Sequence, residues 1–442
     1  MPIQLSEHFT YGKLLRFTFP SIVMMIFISV YSVVDGFFVA KFVGATPFAA
    51  VNIVWPFIMI LGSIGFMLGS GGSALVAKTL GERKTQKANQ IFSLLIYTII
   101  TCSFLFAVLG LLFIQKILIW LGVTGILLKN CLIYAKVLMP AVPALMLQVI
   151  FHTFMVTAER PKFGMVITIL AGIVNFILDA VFILAFDYGL KGAALATVIS
   201  QIIGGGIPLI YFMFPNKSLL RLGYTKIYVS ALLKSCGNGI SEFLSNISMS
   251  IVGMLYNYQL LRIAGENGVV AYGVISYVNF IFLASFIGYS VGSNPIISYH
   301  YGAKNKTELH NLLHKSLRLI SIVAVIMTAS AICSALPIAR LFIGYNSQLM
   351  QITAHGFQIY ALSFLLAGFN IYASAFFTAL NNGLVSAFIS VFRTMISECL
   401  CVIILPLFFG VEGIWAAIIV AEIMALVVSV VCIISFKPKY GY

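Results

Sequence analysis

Charge is what this chain has least of. Only 9% of its 442 residues are Asp, Glu, Lys or Arg, against roughly 25% in a soluble globular protein. With 61% hydrophobic residues, that scarcity excludes an ordinary water-soluble domain and points to a polytopic membrane protein. Acids are rarer still, 12 against 26 Lys and Arg, for a formal net charge of +14. The excess follows from topology, because Lys and Arg collect in cytoplasmic loops; it calls for no nucleic-acid partner. Seven cysteines lack metal or disulfide spacing, fall mostly inside apolar segments, and read as small core residues. No G-x-x-x-x-G-K-[ST] loop is present, since "GSGGSALVAKT" at 69–79 lacks the Gly-Lys step. The chain is therefore expected to have no ATP engine of its own. H-E-x-x-H and G-x-S-x-G are missing too, so no enzyme and no cofactor is expected. The first apolar segment is too long, and lacks the small-residue cleavage site, for a cleavable signal peptide.

What is present is apolar sequence in long runs. A helix needs about 20 apolar residues to cross the hydrocarbon. That ruler predicts an all-α protein with twelve transmembrane helices at 14–40, 47–77, 90–115, 132–157, 163–185, 191–213, 229–261, 268–300, 316–336, 355–379, 384–406 and 412–436. Twelve spans put both termini and five loops on one side. Eighteen Lys and Arg fall on that side and seven on or near the other, with Arg393 inside a span. The asymmetry predicts that both termini are cytoplasmic.

Sliding the chain against itself by 221 residues brings similar chemistry into register. Gly44 meets Gly265, Gly71 meets Gly292, Gly81 meets Gly302, Gly189 meets Gly410 and Gly192 meets Gly413. "TLGERKTQ" and "YHYGAKNKTE" fall in equivalent loops. Chance similarity between apolar helices explains matched Ala and Ile, but not glycines and basic loops in one register. The prediction is two pseudo-symmetric six-helix lobes, 1–213 and 229–442, joined by a cytoplasmic linker at 214–228. Six is even, so the repeats are parallel, related by an axis along the membrane normal. Two like bundles about a central cleft favour a secondary transporter over a channel.

The spans hold few acids: Asp35, Asp179, Glu242, Glu398 and Glu422. Such acids normally face a bundle interior or wet cavity and mark ion, proton or substrate paths. Asn175 lies four residues before Asp179, on the same helical face. If the first span packs beside the fifth and sixth, Asp35, Asn175, Asp179 and Thr197 form one polar cluster. An amide and carboxylates there can coordinate a cation, Na+ included, or share a proton. Two carboxylates at close range titrate as one coupled unit. The offset sets Tyr256, Ile396, Leu400 and Ile418 opposite the four, so the cluster is not duplicated. Pro20 weakens the first helix's ladder and makes it easier to bend. Glu242, Gln201, its repeat partner Glu422, and Tyr256 are the candidates for a substrate cleft. Glu398 is expected to pair with Arg393, five residues earlier. His310 and His314 read as a solvated helix face, and His152 as a packing histidine.

At these residues the chain resembles the multidrug and toxic compound extrusion (MATE) family, in its MepA- and DinF-like bacterial branch. "NFILDAVFILAFDYGLKGAALATVISQ" at 175–201 is similar to that branch's fifth and sixth spans, and "YSVVDGFFVAKFVG" to its first. The resemblance covers essentially the whole chain. It implies a bacterial plasma-membrane antiporter that exports small, amphipathic organic cations in exchange for H+ or Na+. By position it implies an ion site at Asp35, Asn175, Asp179 and Thr197. A monomer is expected. The alternative is a lipid-linked saccharide flippase of related two-lobe architecture. That activity calls for basic residues in the cleft to hold pyrophosphate, and the spans hold more acids than bases.

Overall fold

The computed structural model describes residues 3–344 and 346–442. The first half folds as α1 (Tyr11–Val43), α2 (Thr46–Gly81), α3 (Thr85–Trp120), α4 (Gly125–Thr157), α5 (Pro161–Ala185) and α6 (Gly189–Met213). In the second half a helical run, Val229–Gly302, breaks at Gly265 (φ 65°, ψ −158°) into α7 (229–264) and α8 (266–302). α9 is Lys306–Ile343. α10 consists of Ser347–Ala361 and Phe364–Ala379, bent by 49°. At the bend the ladder tightens, with the Leu362 and Ser363 amides donating three residues back to Ile359 and Tyr360. The run Gly383–Tyr440 breaks at Gly410 (φ 57°, ψ −132°) into α11 (383–409) and α12 (411–440). Among the described residues twelve helices thus appear in two sets of six, as expected.

Two of the repeat's glycine pairs have a backbone explanation. Gly44 (φ 121°) and Gly265 each separate the first two helices of a lobe. Gly189 (φ 52°) and Gly410 each open the last helix. Left-handed backbone disfavours a side chain, so glycine recurs where each turn recurs.

The helices overrun the expected limits. α9 begins at Lys306 rather than 316, because Asn305 caps it by accepting the Glu308 amide at 3.1 Å. Its polar first turns continue the helix beyond the apolar stretch. α4 begins at Gly125 rather than 132 and is interrupted by a three-residue turn, Met139–Ala141, where Pro140 and Pro143 remove backbone donors. The linker lies extended along the start of α3. The Arg221 amide donates to Asn89 Oδ1 (2.7 Å), the Gly223 amide to Ser93 Oγ (3.1 Å) and Thr225 Oγ1 to Gln90 O (2.8 Å).

The lobes meet along a seam that obeys the repeat. A Cβ on Gly81 would stand 2.0 Å from Tyr299 O, and one on Gly302 would stand 2.0 Å from Lys78 O. Positions 78 and 299 are themselves 221 apart. Likewise Gly71 abuts Gly239 in α7, and Gly292 abuts Thr18 in α1, with 18 and 239 in the same register. These approaches all lie in the half of the molecule that carries both termini. Among the described residues, the side-chain hydrogen bonds between lobes lie there as well, such as Asn238 Nδ2 to Gly71 O (3.4 Å) and Asn381 Nδ2 to Ala74 O (3.4 Å).

Candidate functional site

α1 and α5 run side by side because Gly172 admits Phe27 and Tyr31 against its backbone. Phe38 and Phe176 then meet edge to face at 5.4 Å. This packing brings the carboxylates of Asp35 and Asp179 within hydrogen-bonding reach of each other. Asp179 is 1% exposed and Asn175, one turn earlier on the same face, 3%. One oxygen of each aspartate, Oδ1, is buried without a hydrogen-bond partner among the described residues. A buried unpaired carboxylate is costly, and two abutting ones repel. The arrangement therefore calls for a proton or a cation between them.

α6 returns beside α5, fixed by Ser200 Oγ donating to Ala171 O at 2.9 Å. The two helices are antiparallel, so Thr197, about one turn back from Ser200, lies level with Asn175, about one turn on from Ala171. The Thr197 hydroxyl donates to Ala193 O of its own helix at 3.1 Å, which leaves its lone pairs free. Tyr134 of α4, 1% exposed, lies within electrostatic range of both aspartates. Tyr31, one turn before Asp35, lies in range of that residue. Both tyrosines escaped sequence reasoning. Nothing in their local pattern separates them from core aromatics, and only the fold, which brings them near the aspartates, reveals them.

Both aspartate helices change pitch at this level. A π-helical segment, Ala180–Ala185, follows Asp179 directly, and another, Val39–Val43, begins one turn after Asp35. Such wide turns are rare and concentrate at functional sites.

The remaining candidates are dispersed. Glu242 lies on α7, one turn past Gly239, whose backbone touches Met67 O across the seam. Its carboxylate makes no hydrogen bond or ion pair among the described residues; only its main-chain carbonyl accepts, from Asn246 at 2.8 Å. Gln201 is buried on α6, 5% exposed.

Glu422 and Tyr256, the other cleft candidates, are both buried. Glu422, 1% exposed, lies inside the second lobe because Arg393 draws it there, with NH2 to Oε1 2.6 Å and Nε to the two oxygens 2.8 and 3.1 Å. Asn370 Nδ2 donates to Glu422 Oε2 at 2.7 Å, and Asn370 Oδ1 accepts from Ser429 Oγ at 2.8 Å. The expected pairing of Arg393 with Glu398 is thereby corrected. The guanidinium binds both oxygens of Glu422, and the Glu398 carboxylate lies beside Tyr256 instead. Tyr256 is fully buried, its ring stacked on Tyr272 at 4.6 Å. The His310 and His314 rings lie 4.0 Å apart, and among the described residues no group of three or more metal-ligating side chains forms.

Comparison with known proteins adds to this geometry. The family profile described as MatE matches residues 20–181 and 243–403. Multidrug export protein MepA of Staphylococcus haemolyticus (strain JCSC1435) is 24% identical over 338 residues, covering 76% of this chain and 74% of that protein. MepA of Staphylococcus aureus (strain MRSA252) is 25% identical over 322 residues, covering 72% and 70%. Among solved structures, an outward-facing multidrug resistance MATE family transporter of the MOP superfamily superposes with a TM-score of 0.92 at 20% identity, covering 98% of both chains. A MOP superfamily transporter from Pyrococcus furiosus gives 0.89 at 20% identity, covering 97% of both.

Proposed function

Because the chain belongs to the MatE family of membrane transporters, we propose that it exports small amphipathic organic cations by exchange for H+ or Na+. The observation that carries this reading is the pair Asp35–Asp179, each with a buried oxygen lacking a partner. A proton or a sodium ion shared by the pair neutralises it, with Asn175 and Thr197 supplying the neighbouring oxygens. Neutralised, the pair lets α1 and α5 draw together; vacated, it drives them apart. The π-helical turns beside each aspartate hold fewer residues to one fixed pitch, so the two helices can repack there.

Eighteen of the Lys and Arg residues lie on the side of the termini, which supports a cytoplasmic location for both ends. With that orientation the seam of Gly81 and Gly302 seals the cytoplasmic side, so the arrangement is outward-open. Ion binding from outside then favours the opposite arrangement, and the substrate leaves as the ion enters. Glu242, on the seam without a partner, is the group we assign to the substrate's positive charge. The two rigid bodies are 1–213 and 229–442, and a single chain holds both, so a monomer suffices. The flippase alternative is not favoured. Arg393, the cation inside a span, is engaged by Glu422 and does not face the seam.

The test is export from everted membrane vesicles. Asp35→Asn and Asp179→Asn should each reduce ion-driven export to near background while binding of tetraphenylphosphonium persists. Wild-type coupled export in both variants sinks the reading. Proteoliposomes with pH and Na+ gradients imposed separately identify the ion.

A further inference from the structure

We propose that the second lobe carries its own proton-binding site at Glu398, beside Tyr256, the repeat counterpart of Asp35, and about one helical turn before the counterpart of Asp179. The inference rests on the ion-coupled reading above but on different residues. By the 221-residue offset, Tyr256 on α7 corresponds to Asp35 on α1, and α11 corresponds to α5. Glu398 by number corresponds to Ile177, which points away from α1. The structure removes this mismatch. α11 contains a π-helical segment, Phe392–Ser397, immediately before Glu398. There the Ser397 hydroxyl donates to Phe392 O, five residues back, at 2.6 Å. One extra residue in a turn rotates everything after it by about 100° relative to a regular helix. Glu398 therefore faces where position 397 otherwise would, which corresponds to Phe176. That residue faces α1, touching Phe38. Glu398 accordingly faces α7 and stands beside Tyr256.

The surroundings define what can bind. Tyr256 is 0% exposed and its hydroxyl has no hydrogen-bond partner among the described residues. The Glu398 carboxylate lies within its reach. Tyr272 of α8 stacks on it at 4.6 Å and 11°, and Tyr360 of α10 lies within electrostatic range of it. Arg393 and, from α12, Glu422 lie within range, already joined as an ion pair. Cys399 and Cys401 flank Glu398 on its own helix. Phenolic hydroxyls and ring faces packed this tightly offer no shell of oxygens for a metal ion, and the nearby guanidinium repels a second cation. A proton needs neither space nor a shell. Protonated, the Glu398 carboxyl donates its O–H to Tyr256; ionised, it accepts the Tyr256 O–H, and the proton passes to water when the lobe opens. The first lobe thus holds a carboxylate pair and the second a carboxylate–phenol pair, with Tyr256 in the place of Asp35 and Glu398 about one turn from the place of Asp179.

Infrared spectroscopy of the purified full-length protein in lipid tests this without transport. The carbonyl band of protonated carboxyl groups is followed as pH is varied. Relative to wild type, Glu398→Gln should lose one titrating component, and Asp35→Asn/Asp179→Asn should retain it. Tyr256→Phe should keep the component but shift its frequency, because the hydrogen bond is gone. Identical titrations of wild type and Glu398→Gln overturn the proposal. If Glu398→Gln is recovered only as aggregate, Tyr256→Phe decides: an unshifted band overturns it. Failure of the Asp35 and Asp179 vesicle experiment leaves this spectrum unchanged, so the two readings fail separately.

Discussion

Arg393 takes a full positive charge into the second lobe, where both it and Glu422 are largely removed from solvent. Removing ions from water is expensive, and a buried pair breaks even only with good geometry and satisfied remaining sites. Here two guanidinium nitrogens reach Glu422, Asn370 takes a further lone pair, and Ser429 holds Asn370. Arg393→Leu should therefore destabilise the protein by about 3–5 kcal/mol, since it leaves buried Glu422 without its counter-charge. Adding Glu422→Leu should recover most of that loss, as measured by thermal unfolding in detergent. A double variant no more stable than the single one contradicts a structural role for the pair. Sequence reasoning found every acid concerned but chose Glu398 as the partner, because separation along the chain was its only measure of distance. Asp35 and Asp179 were legible for a different reason. A carboxylate in an apolar helix is conspicuous whatever its neighbours, whereas Tyr134 among twenty tyrosines is not.

At the scale of elements, legibility followed backbone chemistry. Glycines that recur at 44 and 265, and at 189 and 410, announced turns that only glycine readily takes. The π-helical segments left no such trace, because one inserted residue hardly disturbs an apolar run. Nor did the amino-terminal segment, too short to show a period. Its Leu5 and Phe9 are nonetheless fully buried. The Leu5 amide donates to Glu159 in the α4–α5 loop, where burial pushes the carboxyl of Glu159 up. Farther along, the Phe9 amide donates to Glu308 Oε1 at 2.9 Å, and His8 Nδ1 lies 2.6 Å from Glu308 Oε2. Asn311 and Lys315 donate to Phe9 O at 3.1 and 2.7 Å. The segment thus straps the first lobe's loop to the start of α9 in the second. Glu308→Ala removes the acceptor for two strap residues and leaves the Phe9 amide unpaired, at a cost of about 1–3 kcal/mol. Hydrogen exchange at residues 5–9 should quicken by roughly tenfold or more, with α3 unchanged as an internal reference. Unaltered protection of the strap would show that Leu5 and Phe9 alone hold it.

For the whole molecule, the decisive feature is that the seam repeats while the sites do not. Gly81 against Tyr299 O and Gly302 against Lys78 O are one contact seen twice, about the axis relating the lobes. Lys78 also sets its ammonium over the Tyr301 ring at 5.0 Å. Backbone touching backbone leaves no room for a methyl group, and the contact cannot relax by turning a side chain. A substitution there must separate the ends of α2 and α8 on the side of the termini, without touching either carboxylate site. Overpacking of this kind costs about 1–3 kcal/mol, which shifts a two-state equilibrium roughly 5- to 150-fold. Gly81→Val or Gly302→Val should therefore move the protein out of the arrangement we propose to be outward-open, toward the opposite one. Spin labels at positions 87 and 304, read by double electron–electron resonance, should show the ratio of short- to long-distance populations falling by that factor. Because the seam is symmetric, the two variants should act alike. A variant that unfolds should lose cooperative melting, whereas a shifted one should keep it. If both variants melt normally and retain the wild-type distance distribution, the seam is not the element whose closure seals the cytoplasmic side.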